Sequence, residues 1–84
     1  MSQRCVLVVD DDRLVRESLC EALGEMGCQA QNAAGGVKTL DLLAASPRDL
    51  VVSDVDMPDI SGFELLNRMQ HRHITVPVVL MSAR

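Results

Sequence analysis

With 84 residues, the chain is long enough for one small domain with a thin hydrophobic core. Hydrophobic residues make up 48% of it and charged residues 24%, which excludes a low-complexity segment, and its apolar runs are too short for a transmembrane helix. The net charge of −4 argues against nucleic-acid binding by this chain alone.

The first half of the chain alternates two predicted strands with two predicted helices. Cys5–Val9 is a continuous apolar run, typical of a strand that is buried on both faces. Asp11 or Asp12 is predicted to cap the next helix, and Gly27 to end it in a left-handed conformation. Residues 28–32 then predict an edge strand, and residues 37–44 a second helix. The apolar face of the first helix consists of Val15, Leu19, Ala22, Leu23 and Met26.

The second half continues the same alternation. Residues 50–53 are predicted to form a buried strand that leads into Asp54. Residues 62–71 predict a helix with Phe63, Leu66 and Met69 on its apolar side. A fourth strand is expected to open at Thr75 and to run to Met81. Continuous apolar strands separated by amphipathic helices predict an α/β fold with a parallel, doubly wound sheet in the order βαβαβαβ.

Six of the twelve acidic residues occur in two groups, each directly after a predicted buried strand. Any one of them could simply cap a helix. Parallel strands, however, end at one edge of a sheet, so the two groups are expected to meet there, and Ser82 follows the fourth strand to the same edge. Converging carboxylates favour a hard cation such as Mg²⁺. The acidic residues are Asp10, Asp11, Asp12, Asp54, Asp56 and Asp59.

These segments together resemble the receiver domain of bacterial two-component response regulators. The resemblance covers essentially the whole chain, in the same order and with the same spacing. It implies a flavodoxin-like sheet with strand order 2-1-3-4-5 and a single receiver domain over residues 1–84. The segments are Val8-Val9-Asp10-Asp11-Asp12, Val52-Ser53-Asp54-Val55-Asp56-Met57-Pro58-Asp59, Ser61-Gly62 and Leu80-Met81-Ser82-Ala83.

The resemblance also implies a role for each site residue. Asp54 would accept a phosphoryl group from a sensor histidine kinase or a phosphotransfer protein. Asp10 and Asp11 would bind Mg²⁺, together with Asp54 and the backbone carbonyl of Asp56. The hydroxyl of Ser82 would donate a hydrogen bond to the phosphoryl group. A protein of this kind is not an enzyme in its own right, although it takes part in the transfer to its own aspartate.

The resemblance stops after the fourth strand, which implies a receiver truncated at that point. The family's fifth strand, its lysine and its last two helices have no counterpart, and Lys38, the one lysine in the sequence, falls in the second predicted helix. The strand from Val76 to Met81 would then lack a neighbour on one side. Because an unpaired apolar strand is a template for pairing, self-association through this segment is expected.

Two other functions are compatible with parts of the sequence. Asp54-Val55-Asp56 is similar to the D-x-D motif of haloacid-dehalogenase-type phosphatases, although it follows the third predicted strand rather than the first. A non-catalytic interaction module with a vestigial acidic edge is the other alternative. Three cysteines without C-x-x-C spacing are typical of reduced thiols and predict a cytoplasmic protein.

Overall fold

Seven elements alternate along the chain in a computed structural model that describes residues 3–82. None of the helices in this range is long and apolar enough to cross a membrane. The elements are β1 (Cys5–Val9), α1 (Arg13–Glu25), β2 (Gln29–Ala33), α2 (Gly36–Ala45), β3 (Leu50–Asp54), α3 (Gly62–His71) and β4 (Val78–Met81).

The four strands form one sheet in the order β2-β1-β3-β4, and every pair is parallel. This is the order of the first four strands of the flavodoxin-like fold. The predicted α/β class is therefore confirmed as an incomplete flavodoxin-like sheet over the described residues. β1 has a strand on each side, and its residues Val6 to Val9 are buried, as expected for a continuous apolar run.

The main core lies between one face of the sheet and the helices α2 and α3. Leu7 and Val9 of β1 and Val51 of β3 point into it, because alternate residues of a strand face the same side. On α3 the buried side is formed by Gly62, Leu65 and Met69, which recur at helical spacing. The prediction that Phe63 lies on this side is wrong: two residues before Leu65 it points outward and is 62% exposed.

The helix α1 lies on the other face of the sheet, mainly against β2 and β1. None of its residues is fully buried, and the predicted apolar face is only partly correct. Leu19 and Leu23 are half-buried, whereas Val15 is 39% and Met26 77% exposed. The reason is that α1 packs mainly against the sheet, so only a narrow stripe of its surface is covered.

Two strand starts differ from the prediction because of hydrogen bonds. β2 begins at Gln29 because the Cys28 N–H donates to the Leu23 carbonyl (3.0 Å) and closes the end of α1 around Gly27, whose φ is +89°. β4 begins at Val78 rather than at Thr75. Pro77 has no N–H, although its carbonyl accepts from the Val51 N–H at 2.9 Å.

Candidate functional site

Two strand ends bring the acidic groups together. Asp10 directly follows β1, Asp54 ends β3, and these two strands are parallel neighbours. Carboxylate oxygens of Asp10, Asp11 and Asp54 all lie within 4.8 Å of one another. The convergence predicted from the parallel topology is therefore present in the structure.

Asp10 is the buried member of this acidic cluster, with only 6% of its surface exposed. Its Oδ1 accepts a hydrogen bond from the Asp12 N–H at 2.9 Å, which folds the chain into a tight turn. Burial raises the pKa of Asp10, and the neighbouring charges of Asp54 and Asp11 raise it further, against the lowering effect of that hydrogen bond. A cation placed beside this buried carboxylate would stabilise its ionised form.

Asp12 has a structural role rather than a place in the acidic cluster. Its Oδ1 accepts from the Leu14 N–H at 2.9 Å, so Asp12 is the N-cap of α1. The sequence did not distinguish Asp11 from Asp12 as the N-cap of α1, and the structure shows that it is Asp12. Asp11 is exposed, with its carboxylate in the cluster.

Arg16 supports the loop that carries Asp10 and Asp11, a contact that the sequence did not indicate. Its guanidinium donates to the backbone carbonyls of Asp10 (3.2 Å) and Asp11 (3.5 Å), and its Nε donates to Oδ1 of Asn32 (3.4 Å). The positive charge therefore contacts carbonyl oxygens and leaves the carboxylates of the cluster facing the cleft.

The loop after β3 carries the other predicted residues. Asp54 is half-buried, and its Oδ1 lies 3.4 Å from the Asp56 nitrogen. The Asp56 side chain is exposed and its carboxylate is outside the cluster, so any role in a metal site would belong to its backbone carbonyl. The buried Ser53 hydroxyl donates to the Asp54 carbonyl (3.0 Å) and helps to fix the backbone at this strand end.

Asp59 does not join the cluster either. Its carboxylate accepts hydrogen bonds at the N-terminus of α2, from the Val37 N–H at 2.9 Å and the Gly36 N–H at 3.3 Å. These hydrogen bonds, of which the one from Val37 has the largest effect, lower the pKa of Asp59, although its partial burial acts in the opposite direction. Sequence reasoning missed this role. The one local signal was the Gly35-Gly36 pair at the start of α2, where no side chain is available to cap the helix.

An open cleft of about 390 Å³ lies over the cluster, and Ser82 contributes to its wall. Lys38 is elsewhere, exposed on α2 beside Pro58 and Asp59. The prediction that Lys38 falls in the second helix is therefore confirmed. The cleft is lined by Asp10, Asp11, Asp12, Val15, Asp54, Met81 and Ser82.

The donor set of the cleft fits a hard divalent cation. Three carboxylates within 4.8 Å offer oxygen ligands, and one of them is buried with a raised pKa. Mg²⁺ prefers oxygen ligands and is usually held by one or two carboxylates together with water and phosphate. The site could therefore hold Mg²⁺ through Asp10, Asp11 and Asp54.

Comparison with known proteins gives the family. A sequence model of the response regulator receiver domain matches residues 6–84. Response regulator MprA from Mycobacterium sp. (strain KMS) is 42% identical over 79 residues, which cover 94% of this chain and 34% of that protein. Sensor histidine kinase RcsC from Salmonella typhimurium is 40% identical over 78 residues, which cover 93% of this chain and 8% of that protein. The chain thus spans about a third of the length of one relative and less than a tenth of the other.

Solved structures agree with this result. The response regulator TrrA from Thermotoga maritima, in complex with Mg²⁺ and BeF, has a TM-score of 0.91 at 33% identity, covering 98% of this chain and 71% of its own. A receiver domain from Methylobacillus flagellatus has a TM-score of 0.91 at 27% identity, covering 99% of this chain and 72% of its own. The chain is therefore a member of the response regulator receiver domain family of two-component systems.

Proposed function

We propose that this protein is the phosphoacceptor of a two-component phosphorelay, with Asp54 as the residue that is phosphorylated. The observation that carries the proposal is the cluster in which carboxylate oxygens of Asp54, Asp10 and Asp11 lie within 4.8 Å of one another. A sensor histidine kinase or a phosphotransfer protein is the partner, and the domain extends over residues 1–84. This partner and the free thiols of all three cysteines fit a cytoplasmic location.

In the transfer, an Asp54 carboxylate oxygen attacks the phosphorus of a phosphohistidine in line with the P–N bond. The P–N bond breaks, the electron pair goes to the departing imidazole, and an acyl phosphate forms on Asp54. Bound Mg²⁺ would neutralise charge on the carboxylates and on the phosphoryl oxygens. The protein is thus phosphorylated on its own side chain and does not turn over as an independent enzyme.

The remaining site residues have distinct tasks. Asp10 and Asp11 would hold Mg²⁺ together with Asp54, and the Asp56 backbone carbonyl would add a further oxygen ligand. Ser82, at the wall of the same cleft, donates a hydrogen bond from its hydroxyl to a phosphoryl oxygen. The buried carboxylate of Asp10 is held in place, because its Oδ1 also accepts from the Asp12 N–H.

The test is labelling with acetyl phosphate in the presence and absence of Mg²⁺. We expect a Mg²⁺-dependent, hydroxylamine-labile phosphate that is abolished in Asp54→Asn. The matched control is Asp56→Asn, which makes the same chemical change two residues away and should still be labelled, because only the backbone of Asp56 is used.

Each alternative gives a different result. Labelling that persists in Asp54→Asn would refute the assignment of Asp54. Multiple turnover of a phosphoester by the wild type would indicate the phosphatase. A protein that is neither labelled nor active as a phosphatase would be the non-catalytic interaction module.

A further inference from the structure

One arginine holds the turn that carries two of the three carboxylates of the acidic cluster. The Nη1 of Arg16 donates to the backbone carbonyl of Asp10 at 3.2 Å and to that of Asp11 at 3.5 Å. Its Nε donates to Oδ1 of Asn32, in β2, at 3.4 Å. Because the donors of a guanidinium point in fixed directions, this half-buried side chain joins the turn after β1 to the neighbouring strand.

Two further hydrogen bonds fix the beginning of the same turn. The Asp10 N–H donates to the Ala33 carbonyl at 3.2 Å, and the Asp12 N–H donates to Oδ1 of Asp10 at 2.9 Å. Both bonds hold Asp10, and neither includes Asp11. Arg16 binds the carbonyl of Asp11 as well, so it restrains the part of the turn that these two bonds leave out.

The contacts of Arg16 orient the turn rather than neutralise the carboxylates. The two ion pairs among the described residues, Arg13–Glu17 and Arg68–Glu64, do not include it. Its hydrogen bonds and its positive charge have opposite effects on a cation bound at the cluster. The bonds hold the residues that would ligate the cation, whereas the charge repels the cation.

We infer that Arg16 is a positioning residue for the metal site: by binding two carbonyls and Asn32 it holds the carboxylates of Asp10 and Asp11 in the cluster. The inference rests on the proposed function, in which both carboxylates are ligands of Mg²⁺. Groups that orient metal ligands without touching the metal typically change metal affinity by about 10–100-fold when they are removed. Arg16 holds the backbone of the ligands rather than their carboxylates, so we expect the lower end, roughly tenfold weaker binding.

The experiment measures Mg²⁺ affinity by calorimetry for the wild type, Arg16→Gln and Arg16→Lys, each checked for folding by circular dichroism. Lysine keeps the charge but not the planar fork, so its loss of affinity should be smaller than that of glutamine. Arg13→Gln is the matched control. It makes the same change one turn earlier in α1, at a side chain that is 78% exposed and contacts only Glu17, and its affinity should stay within about twofold of the wild type.

The direction of the change separates positioning from charge. Removal of a nearby positive charge would by itself strengthen the binding of a cation, so a pure charge effect predicts tighter Mg²⁺ binding in Arg16→Gln. A role in stability alone would lower the free energy of unfolding, measured with urea, and leave the Mg²⁺ affinity of the folded protein unchanged. Positioning alone predicts weaker binding by the folded protein.

A second measurement tests the bridge to β2. Asn32→Ala removes one acceptor of Arg16 and should weaken Mg²⁺ binding less than Arg16→Gln does. If the two residues act as one unit, the double variant binds no more weakly than Arg16→Gln alone. Losses that simply add in the double variant would show that the residues act independently and would overturn the bridge.

The outcomes separate this inference from the proposed function. Roughly tenfold weaker binding in Arg16→Gln, with Arg13→Gln close to the wild type, supports it. Equal or tighter binding in Arg16→Gln, or an equal loss in Arg13→Gln, overturns the inference and leaves the proposed function intact. A wild type that does not bind Mg²⁺ overturns both. If Arg16→Gln does not fold, Arg16→Lys and Asn32→Ala decide, and unchanged affinity in these two variants overturns the inference.

Discussion

Replacing Gly62 with alanine adds one methyl group where the start of α3 meets β3, the strand that ends at Asp54. The new Cβ would lie 2.5 Å from the Asp54 carbonyl oxygen, 3.0 Å from Cδ2 of Leu80 and 3.2 Å from Cα of Val55. The leucine side chain can rotate away, but the two backbone atoms cannot. The clash is therefore relieved only by moving the start of α3 away from β3.

The cost follows from two opposing effects. Overpacking of this kind typically costs about 1–3 kcal/mol, whereas alanine in a helix gains up to about 1 kcal/mol over glycine. We expect Gly62→Ala to lower the free energy of unfolding by about 1–2 kcal/mol. Gly24→Ala is the matched control: Gly24 lies in α1, a Cβ there meets nothing within 4 Å, and the variant should be more stable by roughly 0.5–1 kcal/mol.

Thermal unfolding followed by circular dichroism compares the two variants directly. For a domain of this size each kcal/mol corresponds to roughly 4–8 °C, so a gap of about 2 kcal/mol separates the melting temperatures by roughly 8–16 °C. A Gly62→Ala protein that melts at or above the temperature of Gly24→Ala would refute the close approach and the reasoning built on it.

Asp10→Asn should raise the urea midpoint of the metal-free protein near neutral pH, because burial, and then the charges of Asp54 and Asp11, raise the pKa of Asp10 and make its ionised form costly in the folded state. Mg²⁺ should stabilise the wild type more than this variant, and a lower metal-free midpoint would contradict the argument. The pKa of Asp59 is lowered, mainly by the hydrogen bond from the Val37 N–H. Ionised Asp59 therefore contributes its full stabilisation of the fold above 3.8, the pKa of the unfolded chain, and this contribution is lost as the pH falls through the lower pKa of the folded state. Urea titrations should show Asp59→Ala less stable by about 1 kcal/mol near neutral pH and close to the wild type at the acidic end; a difference independent of pH would count against it. Val79→Lys, on a strand residue that is 50% exposed, should convert self-associated protein into monomer in sedimentation velocity, and a wild type that is already monomeric at micromolar concentration would disprove self-association.

Much of the fold could be predicted because the residue pattern of a strand indicates which of its faces are buried. The uninterrupted apolar run Cys5–Val9 indicates burial on both faces, and burial on both faces indicates a parallel sheet. Once the strands are parallel, Asp10 and Asp54 must lie at one edge, so the acidic cluster could be predicted without any contact information. A helix cap at Asp11 or Asp12 and the left-handed Gly27 were predictable for a similar reason, since both depend on a few neighbouring residues.

The contacts that were not predicted depend on how separate elements and turns are placed in space. Asp59 caps a helix more than 20 positions before it, and Arg16 binds carbonyls whose direction depends on the turn at Asp10. Neither contact leaves a periodic pattern in the sequence. The exposure of Val15 likewise depends on which elements lie beside α1, because helical periodicity shows which residues share a face but not how much of that face is covered.

The two walls of the cleft, at Asp10 and at Ser82, follow strands that differ in local stability. β1 lies between two strands and its residues Leu7 to Val9 are fully buried, whereas β4, among the described strands, is bonded only to β3 and leaves Val79 half exposed. Amide protons of β1 are therefore expected to exchange only when the whole domain unfolds, and those of β4 through smaller local openings. Ser82 follows the strand that opens easily, and Asp10 follows the one that does not. A ligand that contacts both walls therefore restrains β4 more than β1. Slower amide exchange in β4 is then the measurable sign that the cleft is occupied.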